Sequence, residues 1–218
     1  MRPDVKAVLW DFGGVITSSP FEAFARYEAE RGLPADTIRR INAANPDTNA
    51  WARFERAELD AAGFDALFAE EAAAVGHQIP GGDILALLSG EIRPAMVIAI
   101  DAIMAAGLKT GCITNNVPTG HGAGMARDPK KAAEIAAIMA RFDHVIESSK
   151  VGIRKPDPRI YLMMCDALAV SPAECIYLDD LGINCKPAAA LGMRAIKVAG
   201  ETQALADLAE AVGLPLSA

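Results

Sequence analysis

Five short apolar runs, each six to nine residues long and separated by helical patterns, constrain the fold of this chain more than any other feature. The first, Val5–Trp10, ends abruptly on Asp11-Phe12-Gly13-Gly14. The others are "LKTGCITNN" (Leu108–Asn116), "FDHVIESS" (Phe142–Ser149), "ECIYLDDLG" (Glu174–Gly182) and "MRAIKVAG" (Met193–Gly200). Each is rich in β-formers and nearly continuous in apolar character. Alternation would signal a sheet wet on one face; continuity signals parallel strands covered on both faces. "PAMVIAIDAIMAAG", "PRIYLMMCDALAV", "CKPAAALG" and "TQALADLAEAVG" supply the intervening helices. Gly107 is placed as a C-terminal helix stop, and Ser171 with Pro172 as the start of a new turn. The expectation is an α/β fold with a doubly wound parallel sheet.

One stretch breaks the rhythm. Residues 18–90 read as successive amphipathic helices with no convincing strand: "FEAFARYEAERG", "ADTIRRINAAN", "WARFERAEL", "FDALFAEEAAAVG" and "DILALLSGE". The expected organisation is a core of residues 1–17 and 91–218 with a helical cap, 18–90, inserted after the first strand. Such a cap would sit over the carboxyl ends of the strands, where ligands bind in sheets of this kind. Helices packed on the sheet's flank are the alternative.

The 218 residues, 52% apolar and 22% charged, suffice for a sizeable core. A net charge of −7 argues against nucleic acid or an anionic membrane as partner, while leaving room for a small anionic substrate held by local cations. No apolar run reaches the roughly 20 residues of a membrane span, and the N-terminus lacks an export signal. Cys112, Cys165, Cys175 and Cys185 form no CxxC pair and read as buried, reduced thiols, so a cytoplasmic setting is expected. His77, His121 and His144 have no metal-ligand spacing.

In a parallel sheet the strand ends lie side by side, so Asp11, Thr114 with Asn115, and Asp179 with Asp180 converge on one crevice, joined by Lys155 from "KVGIRKPDP". Carboxylates forced together repel unless a cation neutralises them, and a hard divalent ion with oxygen ligands, Mg²⁺ beside phosphate, is the economical one. Singly, each feature has a duller reading: Asp-Gly-Gly as a turn, "LDD" as a cap for the following helix, through Asp180 on the amides near Ile183. Their order and placement together carry the functional reading.

That order, Asp11, Thr114, Lys155, Asp179/Asp180, resembles the four motifs of the haloacid dehalogenase superfamily across the whole chain. "ITNN", "IESSKVGIRKPDPRIY" and "YLDDLGINCKPAAALGM" resemble more narrowly the N-terminal phosphatase domain of soluble epoxide hydrolase and its single-domain bacterial relatives. The resemblance implies that Asp11 attacks a phosphoryl group to form an aspartyl-phosphate. It implies Mg²⁺ held by Asp11, the Gly13 carbonyl and Asp179 or Asp180. In the family's pattern the first aspartate of the pair more often touches the metal directly; sequence does not decide between the two. Thr114 and the amides near Asn115 would hold phosphate oxygens, and Lys155 would neutralise Asp11 and the transferring group. The implied partner is a small phosphorylated substrate. The epoxide hydrolase activity of the larger relatives belongs to a separate domain and does not carry over.

The pattern departs at one position. Family phosphatases read D-x-D at the first motif, the second aspartate protonating the leaving alcohol; here that place is Gly13. Phosphoryl transfer survives without it most readily for acyl or aryl phosphates. Glu55, Glu58 and His77 are candidates in the helical stretch for a substitute donor. A metal-free dehalogenase is a rival, disfavoured by the aspartate pair. The phosphonate-cleaving branch needs a cap lysine, and none lies between Lys6 and Lys109. A weakly active or inactive binding protein on this scaffold is the rival of a different class. In the cap, Trp51 and Arg53 are expected at the cleft, and its other aromatics in its core. "VPTGHGAGMARDPKKAAE", after Asn116, reads as a surface loop.

Overall fold

A computed structural model describes residues 4–117, 124–126 and 128–216. Five strands form one parallel sheet in the order β3-β2-β1-β4-β5. They are β1 (Ala7–Trp10), β2 (Lys109–Thr114), β3 (His144–Glu147), β4 (Cys175–Asp179) and β5 (Arg194–Lys197). All five fall where the apolar runs predict strands.

The first strand shows why those runs are continuous. Val8 and Trp10 point into one core layer, with α6 (Pro94–Ala105), α7 (Pro129–Met139) and α11 (Glu201–Val212). Ala7 and Leu9 point into the opposite layer, with α9 (Pro158–Leu168) and α10 (Gly182–Ala190). All four are fully buried, so neither alternate position of the strand can be polar. The helix signals hold as well. Proline opens α6 and α9, and Ser171 and Glu174 form a capping box around the 3₁₀ turn Pro172–Glu174, whereas Pro129–Glu134, read in sequence as the end of a surface loop, opens α7 with Asp128 as its cap.

Between β1 and α6 lie α1 (Pro20–Glu30), α2 (Thr37–Ala43), α3 (Ala50–Glu55), α4 (Ala61–Ala74) and α5 (Gly81–Ala86). They bury a core of their own around Phe54, Phe64 and Phe68, stacked with ring centroids 4.8 and 5.4 Å apart. The chain leaves for these helices and returns through one narrow neck. Thr17 pairs with Ile92 in an antiparallel bridge, Ser18 N–H donates to the Glu91 carbonyl at 2.7 Å, and Arg93 N–H donates to that of Ile16 at 2.8 Å. The one further α-helix among the described residues, α8 (Ser148–Val151), is a single turn after β3.

Strand order places the site. From β1 the chain steps outward to β2 and β3, then crosses back to lay β4 on the other side of β1. Trp10 is level with Cys112 of β2 and Leu178 of β4. Residues just past Trp10, Ile113 and Leu178 therefore emerge together at the topological switch point.

Candidate active site

Lys155 organises the centre. Its side chain is 1% exposed, and its ammonium lies 2.8 Å from Asp11 Oδ1 and 2.9 Å from Asp179 Oδ2. Burial opposes its charge, but the two carboxylates outweigh burial and hold the group above the ordinary lysine range. Burial pushes the Asp11 carboxyl well up against the pull of Lys155, with Asp179 and Asp180 adding like-charge repulsion. Carboxylate oxygens of Asp11, Asp179 and Asp180 lie within 4.8 Å of one another, the one such cluster among the described residues. Three carboxylates with a single ammonium leave an excess of negative charge.

The aspartate pair divides its labour. Asp179 is fully buried and accepts from Lys155, the Tyr177 hydroxyl, the Leu181 N–H at 2.8 Å and the Asn184 amide at 3.1 Å. Tyr177 stands two residues before Asp179 on β4, hence on the same face of the strand. Asp180 instead lines the open cavity and accepts from the Ser19 hydroxyl at 3.0 Å. Burial and the neighbouring Asp179 raise its carboxyl from 3.8 to about 6. Asp180 does not cap α10; the Leu181 and Asn184 contacts at that helix start go to Asp179.

The glycines after Asp11 differ. Gly14 adopts φ +78°, and a Cβ there would lie 2.2 Å from Asp180 Oδ2. Its carbonyl accepts from Arg93 at 3.0 Å. Gly14→Ala is expected to cost about 1–3 kcal/mol of stability through its left-handed backbone and to displace Asp180. A lowered denaturation midpoint together with weakened Mg²⁺ binding would show both effects. Gly13 faces open space, with no heavy atom within 4 Å of a built Cβ.

Asp11, Gly13, Thr114, Asn115, Lys155 and Asp180 all line one cavity of about 590 Å³. Asp11 Oδ1 is engaged by Lys155 and by the Phe12 N–H, while no hydrogen bond to Oδ2 is found among the described residues. The Thr114 hydroxyl is likewise unpaired among them. Asn115 departs from expectation in its side chain: its amide donates to the Lys155 carbonyl at 3.0 Å and accepts the Lys155 N–H at 2.8 Å. That reciprocal pair fixes the loop carrying Lys155 and leaves only the main chain of Asn115 for a ligand.

The cavity's far wall comes from the helical stretch: Phe21 and Phe24 of α1, Arg39 and Asn42 of α2, Trp51 and Glu55 of α3. Trp51 stands at the cleft as expected. Arg53 does not; it lies 3.7 Å from Glu58. Of the three proton-donor candidates, Glu55 alone lines the cavity. It is ion-paired with Arg154 at 2.5 Å, and burial raises its carboxyl despite that partner. Glu58 pairs with Arg56, and His77 is not in the wall. His121 and part of the loop after Asn116 fall outside the described residues. Ser19, Tyr177, Asn184 and Arg154, the partner of Glu55, went unnoticed as site residues in sequence; the i, i+2 spacing of Tyr177 and Asp179 was the one readable signal.

Comparison with known proteins identifies the family of the chain. The profile described as haloacid dehalogenase-like hydrolase matches residues 5–192. Mouse acyl-CoA dehydrogenase family member 10 is 34% identical over 97% of this chain, and pig bifunctional epoxide hydrolase 2 is 28% identical over 97%. The chain spans 19% and 40% of their respective lengths. Phosphatase MT3486 of Mycobacterium tuberculosis is 28% identical, covering 91% of this chain and 90% of its own. Among solved structures, an enzyme of the family from Bacteroides thetaiotaomicron, in complex with magnesium and inorganic phosphate, superposes with a TM-score of 0.59 at 18% identity, covering 90% of this chain and 96% of its own. The chain belongs to the haloacid dehalogenase-like hydrolases.

Proposed function

We propose that this hydrolase is a Mg²⁺-dependent phosphatase acting on phosphate monoesters or acyl phosphates with a largely apolar organic part. The observation that carries the reading is that Asp11, whose Oδ2 has no hydrogen-bond partner among the described residues, lines the same cavity as the buried Lys155, Thr114 and Asp180. Asp11 Oδ2 attacks phosphorus, the bond to the leaving oxygen breaks, and water then cleaves the aspartyl-phosphate to inorganic phosphate. Lys155 and Thr114, with the main chain at Asn115, receive the charge spread over the phosphoryl oxygens.

The residues fit a hard cation. Asp11 and Asp180 offer carboxylate oxygens on the cavity wall, and Gly13 lines the same cavity, its carbonyl the third proposed ligand, whereas the lone pairs of Asp179 are taken by Lys155, Tyr177, Leu181 and Asn184. Direct ligation therefore falls to Asp180, with Asp179 positioning Lys155. When bound, Mg²⁺ supplies the positive charge that three carboxylates and a phosphate lack.

Residues 18–90 act as the cap, a reading supported by their separate core and by the neck at Thr17–Ile92. Phe21, Phe24, Trp51 and Leu88 of the cap, with Val117 of the core, make most of the cavity wall apolar, which favours an apolar leaving group. Metal-dependent release of phosphate from a panel of aryl, acyl and alkyl phosphates tests the proposal. Turnover indifferent to Mg²⁺, or confined to 2-haloacids, would refute it. Among the described residues no helix is long and apolar enough to cross a membrane.

A pH dependence follows. With its carboxyl raised to about 6, folded Asp180 binds its proton more tightly than the unfolded chain does. Its cost to stability grows as pH climbs from the ordinary aspartate range to about 6 and is constant above. Mg²⁺ needs the ionised form. At about 100 times its Kd near pH 7.5, the ion should raise Tm by ~5–10 °C. The shift should fall to about half near pH 5, where protonation of Asp180 weakens the affinity about tenfold, as read by thermal melts with and without the ion.

A further inference from the structure

All four cysteines are free and buried, and the proposed reaction uses none of them. Two are neighbours in space. Cys165, on α9, and Cys175, the first residue of β4, bring their sulfurs to 3.9 Å, the one thiol–thiol contact among the described residues. The pair closes the lower end of a helix–strand seam whose upper end is the active centre. Tyr161 stands one turn before Cys165 on α9, and Cys175, Tyr177 and Asp179 alternate onto one face of β4. The Tyr161 and Tyr177 rings meet edge to face with centroids 5.2 Å apart, and above them Asp179 holds the Lys155 ammonium.

Two features suit this pair to oxidation. The contact is asymmetric: hydrogen bonding with Cys175 lowers the Cys165 thiol, while the same contact, together with burial, pushes Cys175 up. Burial is also thin on one side. Cys175 Sγ lies 3.4 Å from the Ser171 carbonyl, which places the pair directly beneath the surface turn at 169–174. That turn begins at Ala169, a non-glycine residue at φ +50°, a strained left-handed backbone whose local opening relieves the strain. Cys112 and Cys185 have neither a thiol neighbour nor such a turn above them.

We infer that Cys165 and Cys175 are an oxidation site, a dithiol that a hydroperoxide converts to a reversible disulfide stapling α9 to β4. The Cys165 thiolate attacks one oxygen of hydrogen peroxide, the O–O bond breaks, and the departing hydroxide takes up the thiol proton as water. Cys175 sulfur then attacks the sulfenic acid on Cys165; the S–S bond forms, the S–O bond breaks, and the hydroxide leaves with the Cys175 proton as a second water. Two thiols lose two electrons and the peroxide gains them. The inference is independent of the phosphatase reading, because none of its readouts needs turnover.

The test treats the full chain, under native conditions, with hydrogen peroxide. Thiols titrated after denaturation should fall from four to two, and the intact mass by two hydrogen atoms. Cleavage after Glu174, between the two cysteines, should leave fragments that only dithiothreitol separates. By closing a segment of ten residues, the bond should raise Tm by roughly 5–10 °C, reversibly with dithiothreitol. Cys165→Ala and Cys175→Ala should each keep all three remaining thiols and lose the Tm response. The fragment analysis, made on the wild type, decides the pairing even if a variant fails to fold. Four thiols surviving the oxidant, a bond to Cys112 or Cys185, or an oxidised form that melts no higher than the reduced one would overturn the inference.

Discussion

Asp11→Asn is expected to lower phosphate release by at least about 10³-fold, because an amide oxygen cannot serve as the nucleophile that divides the displacement into two steps. The loss should lie in kcat. Phosphate itself is still received by Lys155, Thr114 and the main chain at Asn115, so KM should move far less. Stability should move the other way. Burial pushes the Asp11 carboxyl well above its usual range, so above that shifted value the ionised group costs the fold free energy that the neutral amide does not. Lys155 keeps Asp179 as its partner at 2.9 Å. The metal-free variant should therefore melt no lower than the wild type at neutral pH. An inactive variant with an unchanged or raised Tm assigns the loss to chemistry. Activity within tenfold of wild type would remove Asp11 from the mechanism.

The fold was legible because its strands are buried on both faces, and the site because strand ends in such a sheet must converge. Asp11, Thr114, Lys155 and Asp180 needed only strand order to be brought together. What stayed hidden belongs to side-chain geometry. Asn115 stands at a strand end like any phosphate ligand, yet its amide closes a reciprocal pair with the Lys155 backbone 40 positions away. "LDD" does not reveal which aspartate is saturated, because the deciding partners, Tyr177 and Asn184, come from the strand interior and the next helix. In "WARFERAEL" the helical period puts Trp51 and Glu55 on one face, and Arg53 off it. Cys165 and Cys175, ten positions apart with no motif between them, bring their sulfurs within 3.9 Å across a helix–strand contact.

Gly13→Asp is expected to do the opposite of Asp11→Asn, raising turnover of alkyl phosphates. The position can take a side chain: nothing lies within 4 Å of a Cβ built there, and the left-handed turn that forbids one is at Gly14. A carboxyl at this point borders the cavity two residues beyond Asp11. The carboxylates of Asp11 and Asp180 nearby favour its protonated form, the form able to donate to a departing alkoxide. General acid assistance contributes about 10²–10⁴-fold, most where the leaving group is a poor one. The gain should therefore be large for alkyl phosphates, small for aryl phosphates and absent for acyl phosphates. The measurement is the slope of log kcat/KM against leaving-group pKa, which should flatten in the variant. A uniform loss across all leaving groups, with the slope unchanged, would mean that protonation does not limit this enzyme and that the glycine is no defect in its mechanism.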